Sequence, residues 1–163
     1  MTSTVVDGRF DPWQRLTEYQ HERGLSDGRS GATAVFVGTM RDFNDGAEVA
    51  ALTLEHYPGM AERYLGSIAE QAAQRWPLND LLIVHRVGRI VPGEAIVLVA
   101  AWSSHRAAAF AACRFLIEEL KSHAPFWKRE LTGQGERWVA VNTTAEEVQA
   151  GTPAADDSKE ICV

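Results

Sequence analysis

The sequence predicts an α+β domain. Apolar runs of strand length and amphipathic helical stripes follow one another without the regular strand–helix alternation of a doubly wound sheet. An Asp-Gly turn joins two strand candidates near the start, as expected of a hairpin. With 163 residues and 45% hydrophobic content, the chain is long enough to bury one sizeable core.

Asp11-Pro12 ahead of Trp13-Gln-Arg-Leu16 predicts a first helix, with Asp as cap, Pro in the first turn and Gly24 at the close. Ser26 to Gly31 reads as a polar loop, and Ala32 to Val37, ending at Gly38, as a buried strand. Phe43-Asn-Asp-Gly-Ala47 leads into a strand over Val49 to Tyr57. Pro58-Gly59 opens a helix that runs to about Arg75, where Trp76-Pro77 stops it. Leu81 to Val87 and Ala95 to Trp102 read as strands joined by a turn at Pro92-Gly93-Glu94. Ser103-Ser104 can cap the next helix, with Phe110, Cys113, Leu116, Ile117 and Leu120 as its apolar stripe and Pro125 as its breaker. Arg137 to Val141 is the last strand candidate. Residues 1–142 are thus expected to form a single domain, and 143–163 a polar, acidic tail.

Composition narrows the partners. Net charge is −6, against a nucleic-acid polymer. Cations nonetheless gather locally: Arg106, Arg114, Lys121, Lys128 and Arg129 stand between His105 and Arg129 against only Glu118 and Glu119. A local basic site on an acidic chain suits a small anion. The two cysteines, Cys113 and Cys162, suggest neither a disulfide framework nor a metal cluster, so a cytoplasmic setting is expected. Cys113 falls on the helical stripe and reads as core. No run approaches the roughly 18 apolar residues of a membrane span. No leader pattern precedes the first helix, and the terminal Glu160-Ile-Cys-Val163 has its cysteine misplaced for prenylation. His21, His56, His85 and His123 lack metal-ligand spacing, and no phosphate-loop, dinucleotide or serine-hydrolase motif is present, so no metal and no bound cofactor are expected.

Three places could carry chemistry. His105-Arg106 begins a helix, where free amides and the macrodipole favour an anion; a phosphate held there by Arg106 and His105 is coherent, and so is a solvated pair. Arg41 follows a buried strand and could clamp a phosphate, or pair with Asp42 or Asp45. Lys121 is explained as a cation at a helix C-terminus. Lys128 is not, because Pro125 ends the helix between them; a turn flanked by Phe126 and Trp127 could fold it back toward Lys121. Two adjoining ammonium groups lower each other's pKa and supply a nucleophile or proton carrier near neutral pH. A solvated basic loop is the alternative.

Taken together, Phe36-Val-Gly38 with Arg41, Leu54-Glu-His-Tyr-Pro58 with Met60, His85-Arg-Val-Gly88, Ser104-His-Arg106 with Phe110, Lys121-Ser-His-Ala-Pro-Phe-Trp-Lys-Arg-Glu130 and Trp138-Val139 resemble the large, catalytic subunit family of molybdopterin synthase, the MoaE family. The resemblance covers about residues 30 to 140 and implies an α/β-hammerhead-like mixed sheet with packed helices. It implies a sulfurtransferase that converts cyclic pyranopterin monophosphate to the dithiolene of molybdopterin. The implied sulfur donor is a small ubiquitin-like subunit whose C-terminal Gly-Gly carries a thiocarboxylate, and two large subunits would form the central homodimer of a heterotetramer. The family's substrate contacts fall on Thr39, Met40, Arg41, His105, Arg106, Lys121, Lys128, Arg129 and Glu130, with Lys121 and Lys128 as the catalytic pair. Met40 replaces the hydrophobic neighbour usual before the arginine, and no contact is assigned in the tail. The competing expectation is a non-catalytic module that docks a ubiquitin-like tail or a phosphorylated ligand; a lysine Schiff-base enzyme is a third.

Overall fold

The computed structural model describes residues 1–44 and 47–139. The expected tail at 143–163, Cys162 and the end of the last predicted strand lie outside them. Within the described residues eight strands form a mixed sheet and three helices pack on it, an α+β arrangement as the sequence predicts. Among the described residues no helix is long and apolar enough to cross a membrane.

In chain order the elements are β1 (Thr2–Asp7), α1 (Pro12–Glu22), β2 (Ala32–Thr39), β3 (Phe43–Asn44), β4 (Ala47–His56), α2 (Met60–Arg75), β5 (Leu78–Ile90), β6 (Ala95–Ser103), α3 (Arg106–Ser122), β7 (Phe126–Thr132) and β8 (Gly135–Val139). The strand order is β2-β6-β5-β4-β7-β8, with β1 parallel to β5 and β3 paired to β4.

The 13-residue β5 belongs to two halves of the sheet. Its first part pairs with β6, and through Val87 with β1; from Gly88 onward it pairs with β4. Gly88 makes this change of partner possible. Its φ of +81° is open to glycine, and a Cβ there would stand 2.7 Å from Asp7 Oδ1.

Both faces of the first half are covered, which explains why β5 and β6 read as unbroken apolar runs. Leu81, Ile83, Val99 and Ala101 meet Leu65, Ile68 and Ala72 of α2 and Ala112, Cys113 and Leu116 of α3. Leu82, Val84, Leu98, Ala100 and Trp102 meet Tyr19 of α1 on the other side. Asp80 is a buried polar residue of β5, and it accepts hydrogen bonds from the Tyr19 hydroxyl at 3.1 Å and Arg23 Nε at 3.0 Å. A smaller cluster of Met40, Val49, Leu52, Leu54 and Ile90 supports the second half.

Several expectations need correction. The Thr- and Val-rich start is a strand, β1, which the sequence reading left unassigned. The segment after Pro125 is β7, hydrogen-bonded between β4 and β8, rather than an aromatic turn. Ser104 does not cap α3: the N-cap is His105, whose N–H donates to Ser103 Oγ at 3.3 Å, while Ser104 Oγ donates to the Arg29 carbonyl. Phe110 lies beside the buried face of α3 rather than on it, with 68% of its surface exposed.

Candidate active site

Asp11 caps α1 by accepting from the Trp13 and Gln14 amides, and α1 closes one side of the sheet. The open space lies on the other half. A cavity of about 570 Å³ is bounded by the end of β2, the β3–β4 hairpin, the inner faces of β4 and β7, and the C-terminal end of α3.

Strand alternation decides which side chains of β7 enter it. Phe126, Lys128 and Glu130 line the cavity, whereas Trp127 and Leu131, 46% and 39% exposed, lie on the outer face. Arg129 shares that outer face. Its guanidinium pairs with Glu136 at 2.5 Å and Glu55 at 3.3 Å and lies 5.6 Å from the Trp138 ring centroid. The structure therefore does not bring Arg129 into the cavity, because a one-residue step along a strand reverses the face.

Lys121 comes from the last turn of α3 and lines the same cavity as Lys128. Pro125 ends the helix, β7 starts at the next residue, and two further residues bring Lys128 inward. Burial lowers the Lys128 pKa, the Lys121 charge lowers it further, and Glu130 opposes both. Glu130 is itself only 6% exposed. Its carboxylate accepts from Asn44 Nδ2 of β3 at 2.7 Å and from Arg137 of β8 at 2.7 Å, so it ties β3 and β8 to β7.

Thr39, Met40 and Arg41 form the opposite wall. Met40 is buried and pinned by its backbone: its N–H donates to the Glu94 carbonyl at 2.9 Å and its carbonyl accepts from Gly93 N–H at 2.8 Å. That clamp directs the exposed Arg41 to the rim, where it forms no ion pair among the described residues. Gly38 is required by close approach, since a Cβ would stand 2.8 Å from Val97 Cγ1. Phe36, Ile96, Ile117 and Leu120 make the remaining wall apolar.

His105 and Arg106 do not line this cavity. They open the 17-residue α3 and Lys121 stands in its last turn, so nearly the whole helix, about 22 Å, lies between Arg106 and Lys121. His105 makes no side-chain capping bond there.

The structure adds His85 and Asn44, which sequence reasoning did not select. His85 is a wall of the cavity, 7% exposed, with its ring stacked on Phe126 at a centroid distance of 3.9 Å and an interplanar angle of 8°. Burial holds its pKa down at about 4, and Lys128 and His56 add to the shift. Asn44 sits beside the Asp-Gly turn, whose own residues, 45–46, are not described.

Cys113 is buried and burial pushes its thiol up to about 11, which fits its assignment to the core. Among the described residues no group of His, Cys, Asp or Glu is arranged to hold a metal ion. The cavity thus offers a cationic pair and a rim arginine against an apolar wall, a surface suited to an anionic ligand with a flat or hydrophobic body.

A family model described as "MoaE protein" matches residues 11–123. The chain belongs to the MoaE family. A protein named molybdopterin synthase catalytic subunit from Pseudomonas aeruginosa is 52% identical over 139 residues, which cover 85% of this chain and 90% of that one. One of the same name from Escherichia coli K12 is 50% identical over 109 residues, 67% of this chain and 73% of the relative. A solved MoaE protein from Burkholderia ambifaria superimposes with a TM-score of 0.70 at 44% identity, covering 90% of this chain and 95% of its own. Molybdopterin synthase from Staphylococcus aureus gives 0.72 at 31% identity, covering 83% and 94%. Membership of the MoaE family sets the chain among catalytic subunits of molybdopterin synthase, and so among enzymes.

Proposed function

We propose that this chain transfers sulfur from the C-terminal thiocarboxylate of a small ubiquitin-like subunit to cyclic pyranopterin monophosphate, making the dithiolene of molybdopterin. The observation that supports it most is the convergence of Lys121 and Lys128 on one cavity, with Glu130 beside Lys128. In each transfer the sulfur would form a bond to a side-chain carbon of the pterin as a carbon–oxygen bond at that carbon breaks, its oxygen leaving as water or as the freed phosphate oxygen. The acyl–sulfur bond then breaks to water, which returns the donor as a carboxylate. The two ammonium groups would bind the anionic tail and stabilise the charge that develops at the acyl carbon.

Thr39, Met40 and Arg41 would contact the substrate from one wall, and Lys128 and Glu130 from the other. The length of α3 separates His105 and Arg106 from this cavity. A role for them in phosphate binding therefore calls for a second copy of the chain, whose α3 would open toward the first copy's cavity. This fits a central homodimer carrying one small subunit on each protomer. Arg129 would contribute by bracing β7 against Glu55 and Glu136. We place the reaction in the cytoplasm.

Conversion of the cyclic pterin phosphate by purified protein and thiocarboxylated partner tests the proposal. Lys121→Ala is expected to abolish conversion while the homodimer persists. Full turnover by that variant would sink the assignment of Lys121, and binding of the partner without loss of sulfur would favour the non-catalytic alternative.

A further inference from the structure

Arg86 is a charged residue in a place where burial disfavours one. It lies on β5 beside the bend at Gly88 and is 4% exposed, and its Nε donates to nothing among the described residues. Desolvating a guanidinium is costly, and a buried ion pair can often be exchanged for apolar side chains of similar volume without loss of stability. Stability alone therefore does not account for an arginine here.

Its two terminal nitrogens show what it holds. Nη1 donates to Glu94 Oε2 at 3.0 Å and Nη2 to the Arg89 carbonyl at 2.8 Å. One planar group thus joins the strand beyond the bend to the turn that connects β5 with β6. In that turn Glu94 N–H donates to the Val91 carbonyl at 3.1 Å, and Gly93, after Pro92, takes a φ of +83°. Glu94 Oε2 also accepts from the Val91 N–H at 3.0 Å, so the Arg86–Glu94 pair fixes both ends of the turn. Arg9, exposed and 4.0 Å from the other carboxylate oxygen, adds little.

The same turn grips the cavity wall that carries Arg41. Gly93 N–H and the Glu94 carbonyl hold both backbone groups of Met40, and the next residue is Arg41. Arg41, Pro92 and Gly93 also line a second depression. Every link from the Arg86 guanidinium to the Arg41 backbone is thus a hydrogen bond or a covalent bond.

We propose that Arg86 is a positioning residue for the substrate anion: with Glu94 it locks the 91–94 turn, and the turn's hold on Met40 sets where the Arg41 guanidinium stands on the cavity rim. The substrate side of this inference rests on Arg41 contacting the phosphorylated pterin in the proposed sulfur transfer; the brace itself does not.

The test compares Arg86→Met, which keeps much of the length and volume but donates nothing, with Arg41→Ala and with the double variant. Two readouts are taken on the full chain: hydrogen exchange of the Met40 amide by NMR, and KM and kcat for cyclic pyranopterin monophosphate with the thiocarboxylated partner. In Arg86→Met the Met40 amide is expected to exchange faster by on the order of tenfold, and KM to rise by about fivefold with kcat unchanged. In the Arg41→Ala background Arg86→Met is expected to raise KM no further. Glu94→Gln, whose amide oxygen can still accept from both Arg86 and Val91, is expected to keep exchange and KM close to those of the unaltered chain. Unmoved Met40 exchange or unmoved KM in Arg86→Met, or an equal rise in KM with and without Arg41, would overturn the proposal. Where Arg86→Met does not fold, Glu94→Ala breaks the same pair from its more exposed end and must give the same pattern. An unchanged KM in Arg41→Ala would instead refute the substrate contact assigned to Arg41, and the Met40 exchange rate would still decide the brace.

Discussion

Lys121 and Lys128 reach one cavity from different elements, the end of a helix and the inner face of a strand, and the charge of Lys121 lowers the pKa of Lys128. Lys121→Met is expected to raise the Lys128 pKa, because it removes a like charge and leaves burial in place. An NMR titration that finds no upward movement would show that the two charges do not interact.

Glu130 works against that depression. Glu130→Gln is expected to lower the Lys128 pKa further and to weaken the tie to the half-exposed Arg137, at a cost of about 1 kcal/mol in unfolding free energy. Urea denaturation measures the second effect. Asn44→Ala removes one donor and leaves the carboxylate, so it should cost about 1 kcal/mol and report how far the hairpin orients Glu130.

His85 gives stability a pH dependence. Its folded pKa, about 4, lies below the ordinary imidazole value of 6.5, so the unfolded chain binds the extra proton first. This contribution to stability is complete above about 6.5 and is lost as pH falls toward 4, by roughly 3 kcal/mol in all. His85→Phe should flatten that acid slope. Parallel slopes for the two proteins would place the titrating group elsewhere.

Gly88→Ala should cost about 1–2 kcal/mol, since the new Cβ meets both a left-handed backbone and the Asp7 carboxylate. Thermal unfolding would show it. A loss of activity beyond the loss of folded protein would mean that the bend in β5 also sets the cavity wall.

The parts of this fold that were legible were those where one physical rule dominates. Asp11 and Pro12 mark the start of α1, and Leu81 to Val84 can only be a strand buried on both faces. β1 escaped notice because its partner, β5, is some 80 residues away and its own Thr-Ser-Thr start carries little hydrophobic signal. β7 escaped because Lys128, Arg129 and Glu130 read as a surface loop, whereas Lys128 and Glu130 are a strand's inward face turned to a polar cavity. The same alternation separates Arg129 from Lys128 and Glu130, with which the family resemblance groups it. His85 could be seen as a histidine in an apolar run, but its ring stack depends on Phe126, which is more than 40 residues downstream.

Because β5 carries His85 and then bends at Gly88 to join the other half of the sheet, one continuous backbone connects the helix-covered core to the cavity wall. Its amides are therefore expected to be among the last to exchange with solvent deuterium, since β5 cannot open without parting from β6, β1 or β4. An active-site wall is ordinarily among the first regions of an enzyme to breathe; here it would exchange as slowly as the core.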